Sequence, residues 1–269
     1  METITSRDNQ WIKLACSLKQ RKYRQEQQRL FVEGVRLVGD AAANGVHDAL
    51  CFVSPKGEKY DQFTTIYEQG LALGWTFYAV TDSVYDKLKD TKNPQGIAAV
   101  LPFFAYSMDT LPAVDPDQIV LYVRDIQDPG NLGTIIRTAA AANVGAILVS
   151  DGSVDVYNDK TLRSAMGAVF KIPIVPNVTD EKLDQFCSDE DRAVYGTAAT
   201  GTTSYVDADY DRPVVVAFGN EGNGLADDFL SCCDEVLTIP MRSDTESLNL
   251  SMSVGIVVYK AWEQKGFKK

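Results

Sequence analysis

From Ile119 onward the chain carries short, unbroken apolar runs: IVLYVR (119–124), AILVS (146–150), IPIV (172–175), AVYGT (193–197), VVVAF (214–218) and VLTI (236–239). Runs of this length that do not alternate with polar residues predict parallel strands buried on both faces, with helices in the intervening segments. The front of the chain alternates in the same way. Phe31-Val32 lead into a helical pattern from Gly34 to Ala43 that stops at Asn44-Gly45. Ala49 to Ser54 form a strand, Tyr60 to Leu73 a helix closed by Gly74, and Trp75 to Val80 a further strand. Thr81 caps a short helix, and Ile97 to Leu101 complete the set. The fold class is therefore α/β. Between Ala105 and Gln118 the sequence AYSMDTLPAVDPDQ has two prolines, three aspartates and no periodicity, which marks a linker. The expected division is 1–105, a linker over 106–117, and a second domain over 118–269.

Near the C-terminus, polar residues at 242–247 run directly into Leu248-Asn249-Leu250-Ser251. Ser243, Asp244, Thr245 and Ser247 are N-cap types, and Leu248, Met252, Ile256, Val257, Tyr259 and Trp262 fall mostly on one helical stripe. Neither pattern accounts for Asn249 between two leucines.

Composition narrows the function. With 45% apolar and 23% charged residues the chain is an ordinary folded protein, and no apolar run is long enough to span a membrane. A cytoplasmic location is expected, since the N-terminus lacks the apolar core of a signal peptide. The five cysteines include no C-x-x-C pair, so neither a disulfide framework nor a zinc site is suggested, and with His47 the only histidine, histidine triads and multi-histidine metal sites are excluded. A formal charge of −11 argues against nonspecific nucleic-acid coating. The segment from Arg7 to Arg36 is an exception, with eight basic residues against Asp8, Glu26 and Glu33. It is either a solvated helix face or an RNA contact, with Trp11 and Tyr23 interleaved.

In an open parallel sheet the ligand site lies beyond the C-terminal strand ends. After IVLYVR, Asp128-Pro129-Gly130 makes a turn, Asn131 is placed to cap a helix from Leu132 to Ala142, and Arg137 lies on that helix. After VVVAF, the glycines of GNEGNGL hold Glu221 between them in an order unlike a dinucleotide fingerprint. The third loop follows VLTI. An arginine, a glutamate, an asparagine and a serine thus converge without a metal set, as suits a cofactor that already carries an activated group.

These loops resemble the three motifs of the SpoU (TrmH-like) branch of the SPOUT superfamily, the S-adenosylmethionine-dependent RNA ribose 2′-O-methyltransferases. Asp128-Pro129-x-Asn131-Leu132-Gly133-x-Ile135-Ile136-Arg137-Thr138-Ala139 resembles the first motif. Phe218-Gly219-Asn220-Glu221-Gly222-x-Gly224-Leu225 resembles the second, and Ile239-Pro240-Met241 with Ser247-Leu248-Asn249-Leu250-Ser251 the third. Arg163-Ser164-Ala165-Met166-Gly167-Ala168 fits as well, while Phe31 to Arg36 and Asn93 to Gly96 are similar to an L30e-like substrate-binding module.

The resemblance implies a SPOUT domain with a deep trefoil knot, a homodimer, S-adenosylmethionine as cofactor and RNA, ribosomal RNA in particular, as substrate, with no metal and no membrane partner. It assigns Arg137, Asn131, Glu221, Ser247 and Asn249 to the chemistry. Thr197, Gly219, Gly222, Ile239, Met241 and Leu248 are assigned to the cofactor. A guanidinium stays protonated at neutral pH, so Arg137 is better suited to grip a phosphate and stabilise a developing alkoxide than to act as base. Which group takes the hydroxyl proton stays open. The alternatives are a knotted RNA-binding or assembly factor without turnover, and a transfer-RNA substrate.

Overall fold

A computed structural model describes residues 1–242 and 247–268. The chain divides into two compact units, Met1–Phe104 and Ala105–Lys269.

The first unit is built on a five-stranded mixed sheet. Its strands are β1 (Glu2–Ile4), β2 (Arg29–Glu33), β3 (Leu50–Val53), β4 (Thr76–Val80) and β5 (Ile97–Pro102), in the order β1-β4-β3-β5-β2. β1, β4 and β3 run parallel, whereas β5 is antiparallel to both β3 and β2. Helices α1 (Gln10–Ser17), α2 (Arg21–Gln27), α3 (Val35–Ala43), α4 (Gln62–Ala72) and α5 (Asp82–Leu88) cover it. Ile12, Ala15, Leu18, Phe52, Val84 and Leu88 form part of one buried cluster, in which each isoleucine, leucine, valine or phenylalanine side chain contributes about 1.5–3 kcal/mol of burial. Thr81 caps α5 as the sequence indicates, its hydroxyl accepting from the Val84 amide. The three residues of β1 have no apolar run to announce them, and the strand exists because it pairs with β4.

The basic stretch does structural work that its charge count conceals. Arg24 is buried and donates to the Leu18 and Lys19 carbonyls, closing the end of α1. Lys19 pairs with Asp90, Arg29 donates to the Asp48 carbonyl at 2.9 Å, and Arg7 to that of Ser83 at 3.0 Å. Four of the eight basic positions therefore have partners within the unit. Arg21 and Arg36 stay exposed.

The second unit has an all-parallel sheet of seven strands. They are β6 (Val120–Val123), β7 (Ala146–Ser150), β8 (Ile174–Val178), β9 (Ala193–Thr197), β10 (Thr203–Ser204), β11 (Val214–Phe218) and β12 (Glu235–Thr238), ordered β10-β12-β9-β11-β6-β7-β8. Its helices are α6 (Pro129–Ala141), α7 (Asp159–Ala165), α8 (Asp180–Asp189), α9 (Asp227–Ser231) and α10 (Leu250–Gln264). Every residue of β6, β7 and β11 is buried, as expected for strands covered on both faces. β8 starts two residues later than the apolar run because Pro173 has no N–H to donate, and as an edge strand it also tolerates Pro176.

The stretch 106–117 packs onto this sheet instead of spanning open solvent. Tyr106 donates its amide to the Ile174 carbonyl, and Met108 and Leu111 pack on the core formed by Val120, Tyr122 and Leu148. Buried Arg192 donates to the carbonyls of Val114, Asp115 and Gln118. Prolines and aspartates made the segment read as a linker, but its carbonyls are gathered by one guanidinium.

Because the strands are parallel, the loops after β6, β9, β11 and β12 emerge at one edge. β6 and β11 are neighbours and β9 lies between β11 and β12, so sequence-distant loops meet there.

Candidate active site at the carboxyl edge of the parallel sheet

Helix α6 begins one turn earlier than its apolar pattern suggests. Asp128 is the N-cap, its Oδ1 accepting from the amides of Gly130 (2.5 Å) and Asn131 (2.9 Å), and Pro129 takes the first helical position, where its missing N–H costs nothing. Asn131 is therefore not the cap, and its side chain is free for another partner. The Lys160 ammonium, 3.0 Å away, and then the Asn131 and Gly130 amides hold the Asp128 carboxyl below its usual range. Gly133 is required by close approach, because a Cβ there would lie 2.5 Å from the Thr161 carbonyl oxygen on α7.

Glu221, in the loop after β11, reaches back to the loop after β6. Its Oε2 accepts from the Gln127 amide at 3.0 Å, and its Oε1 accepts from the Asp128 amide at 2.9 Å and from Asn131 Nδ2 at 3.2 Å. Burial alone would raise the Glu221 carboxyl, but the amide donors outweigh it and hold it below the ordinary glutamate range. A carboxylate so engaged orients its neighbours; it is poorly suited to collect a proton. Asn220 adds a second tie between the loops, donating to the Asp125 carbonyl at 2.9 Å while its Oδ1 accepts from the Gly222 and Asn223 amides.

The bond to Glu221 fixes which way the Asn131 amide faces: nitrogen to the carboxylate, oxygen outward. That oxygen accepts from Asn249 Nδ2 at 3.1 Å. The remaining Asn249 oxygen accepts from the Ser251 and Met252 amides and the Ser251 hydroxyl, making Asn249 the N-cap of α10. This corrects the expectation that the preceding polar residues supply the cap; Ser243, Asp244 and Thr245 lie outside the described residues. The stripe on α10 is also different from the one the sequence suggests. Val254, Val257, Val258 and Ala261 face inward, while Met252 is 60% and Tyr259 44% exposed.

Beside this network lies an open cavity of about 420 Å³, bounded by the loops after β9, β11 and β12 and the start of α10. All six residues assigned to the cofactor line it: Thr197, Gly219, Gly222, Ile239, Met241 and Leu248. Glu221 and Ser247 line it too. The Thr197 hydroxyl is committed to the Ala217 carbonyl at 2.8 Å, so Thr197 contributes a wall and not a free donor. Gly219 cannot be replaced without moving backbone, since a Cβ there would lie 2.1 Å from the Gly224 carbonyl carbon.

Arg137 stands apart from the cavity. It is exposed on α6 and makes no hydrogen bond or ion pair among the described residues. Thr200, Asp227 and Ser253 line the cavity without a mention in the sequence reading, and Asn220 enters that reading only as a member of the second motif, with no role of its own. Only Asn220 left a signal, as an asparagine beside glycine in a turn-forming run.

Among the described residues, no group of histidine, cysteine and acidic side chains could hold a metal, and no helix is long and apolar enough to cross a membrane.

Comparisons with known proteins find relatives along nearly the whole chain. The SpoU rRNA Methylase family profile matches residues 118–259, and the MRM3-like substrate binding domain profile matches residues 9–99. The Bacillus subtilis 23S rRNA (guanosine-2′-O)-methyltransferase RlmP is 33% identical over 96% of this chain and 98% of its own length. An uncharacterized tRNA/rRNA methyltransferase of Synechocystis is 31% identical over 98% of this chain and 94% of its own. The crystal structure of an AdoMet-bound rRNA methyltransferase from Sinorhizobium meliloti superposes with a TM-score of 0.86, at 29% identity and 98% coverage of both chains. With its motif loops assembled at one sheet edge and more than half its length matching the profile, the chain belongs to the SpoU rRNA methylase family.

Proposed function

We propose that this protein transfers the methyl group of S-adenosylmethionine to a ribose 2′-hydroxyl of ribosomal RNA, acting as a homodimer in the cytoplasm. The observation that carries the reading is the junction of three loops through Glu221, Asn131 and Asn249 at the edge of the cavity. The relatives' names and the bound methyl donor in the Sinorhizobium meliloti structure support it.

The residues present fit the cofactor. The cavity combines a glycine-built wall at Gly219 and Gly222 with apolar surfaces from Ile239, Met241 and Leu248, which suits a nucleoside held by main-chain groups. When bound, S-adenosylmethionine supplies a methyl group activated by its sulfonium. In the transfer the ribose oxygen forms the new C–O bond, the C–S bond pair stays on sulfur as the thioether, and the hydroxyl proton leaves to solvent or a base. The chain's share is placement. The network from Glu221 to Asn249 fixes the loops around the reacting atoms, where misplacement by about 1 Å can cost ~100-fold in rate. Arg137, exposed and without a partner among the described residues, is available to donate to an RNA phosphate or the developing alkoxide.

Homodimerisation is supported by Met252 and Tyr259, which α10 leaves uncovered while its other face packs on α6. Mass spectrometry of ribosomal-RNA nucleosides from cells with and without the gene tests the activity. One 2′-O-methylated nucleotide should disappear and return with wild-type protein but not with Arg137→Ala. If every 2′-O-methyl mark persists and purified protein transfers no methyl to ribosomal RNA, the chain is a binding factor.

A further inference from the structure

The described lining of the cofactor cavity carries an unbalanced set of charges. It includes two carboxylates, Glu221 and Asp227, and no lysine, arginine or histidine. Glu221 is satisfied by three N–H donors. Asp227 is different: it sits at the first position of α9, exposed, with no hydrogen bond or ion pair among the described residues. Its neighbour Asp228 also lies in the first turn but does not line the cavity, and its Oδ1 accepts from the Phe229 amide.

We infer that Asp227 is a charge-selectivity residue of the cofactor pocket, favouring the cationic methyl donor over its spent, uncharged product. The inference rests on the methyl-transfer reading. S-adenosylmethionine carries a sulfonium and an ammonium against one carboxylate, a net positive charge. Loss of the methyl group leaves a thioether and no net charge. A pocket lined by uncompensated carboxylate attracts the first species and is indifferent to the second, so turnover itself weakens retention of the product. An acidic residue in a helix's first turn also complements the helix dipole. That role is shared equally by Asp227 and Asp228, whereas the position on the cavity wall belongs to Asp227 alone.

Calorimetric titration of the intact protein with three probes separates the roles: S-adenosylmethionine, sinefungin, which places an amine near the sulfonium position, and S-adenosylhomocysteine. In Asp227→Asn, affinity for the two cationic probes should fall about three- to tenfold, and that for S-adenosylhomocysteine less than about twofold. The difference should shrink as salt is raised, because the carboxylate is exposed. Asp228→Asn should leave all three affinities unchanged. Equal changes for all three probes in Asp227→Asn, or none, would overturn the inference. Wild-type protein that binds none of the probes would overturn the methyl-transfer reading itself, and the inference with it.

Discussion

Asn249 donates to Asn131 across 118 residues of chain, joining the cap of the last helix to the first turn of α6. One side chain therefore serves α10 through its oxygen and the site through its nitrogen. Asn249→Ala removes both and should lower the unfolding free energy by about 1 kcal/mol while cutting methyl transfer about 100-fold. Asn249→Asp keeps an oxygen for the cap and loses the donor. Its melting temperature should stay near wild type while activity falls as far as in the alanine variant. Full activity in Asn249→Asp would mean that the bond to Asn131 is not used.

Glu221 makes stability depend on acidity. Its carboxyl is held below the ordinary value of 4.5, so it contributes stability that is fully present above that value and is lost as pH falls through the folded-state pKa. Glu221→Gln abolishes this titration. Its stability should vary less than that of wild type between pH 4.5 and more acidic conditions, measured by denaturant unfolding across that range. Parallel profiles for the two proteins would contradict the assignment.

At Gly219 the prediction concerns backbone. Gly219→Ala forces the hairpin from Asn220 to Gly224 apart and should destabilise the protein by about 1–3 kcal/mol, with loss of S-adenosylmethionine binding. Gly222→Ala meets only the Asn220 side-chain oxygen, at 3.5 Å, and should fold normally. Thermal melting and calorimetry on the pair distinguish crowding from general loop sensitivity.

Arg137→Ala should leave the melting temperature within about 1 °C of wild type, since exposed side chains without partners change stability by about 0.5 kcal/mol or less. Methyl transfer should fall by about 100-fold or more. Arg137→Lys restores the charge without the planar fork and should recover only part of the activity. A large drop in melting temperature would assign Arg137 to structure.

The cysteines give a chemical check on the fold. All five are free thiols. Burial pushes Cys187 up to about 12 and Cys233 to about 11, and raises Cys51 as well. Cys232 is exposed. Brief alkylation at pH 8, followed by peptide mass spectrometry, should label Cys232 first and spare Cys51, Cys187 and Cys233 until the protein is denatured.

The strands and loops of the second unit were readable because burial on both faces demands unbroken apolar runs, and because motif residues cluster after them. VVVAF and AVYGT became β11 and β9 with unchanged bounds, and all six cofactor assignments fall on one cavity. The errors have a common source. Capping was assigned by residue type, yet Asn131 lost the cap to Asp128 because Pro129 fits the first helical position, and the cap of α10 fell to Asn249. Charge was counted without partners, so Arg24, Arg29 and Arg192 could not be recognised as structural until their carbonyls were in place. Asp227 left no trace in the sequence, since only the position of α9 beside the cavity distinguishes it from Asp228.

The dispersed origin of the cavity bears on how the protein matures. Its walls come from Thr197, Gly219, Ile239 and Leu248, and the bond that tethers α10 to α6 needs Asn249. A growing chain that has made β6 through β11 already owns most of its sheet and none of the wall after β12. Ligand affinity must therefore arrive late and abruptly during synthesis, after contacts of very long sequence separation have closed. Binding of the methyl donor would then act as a stamp of completion, strengthening only those molecules in which the last helix has docked.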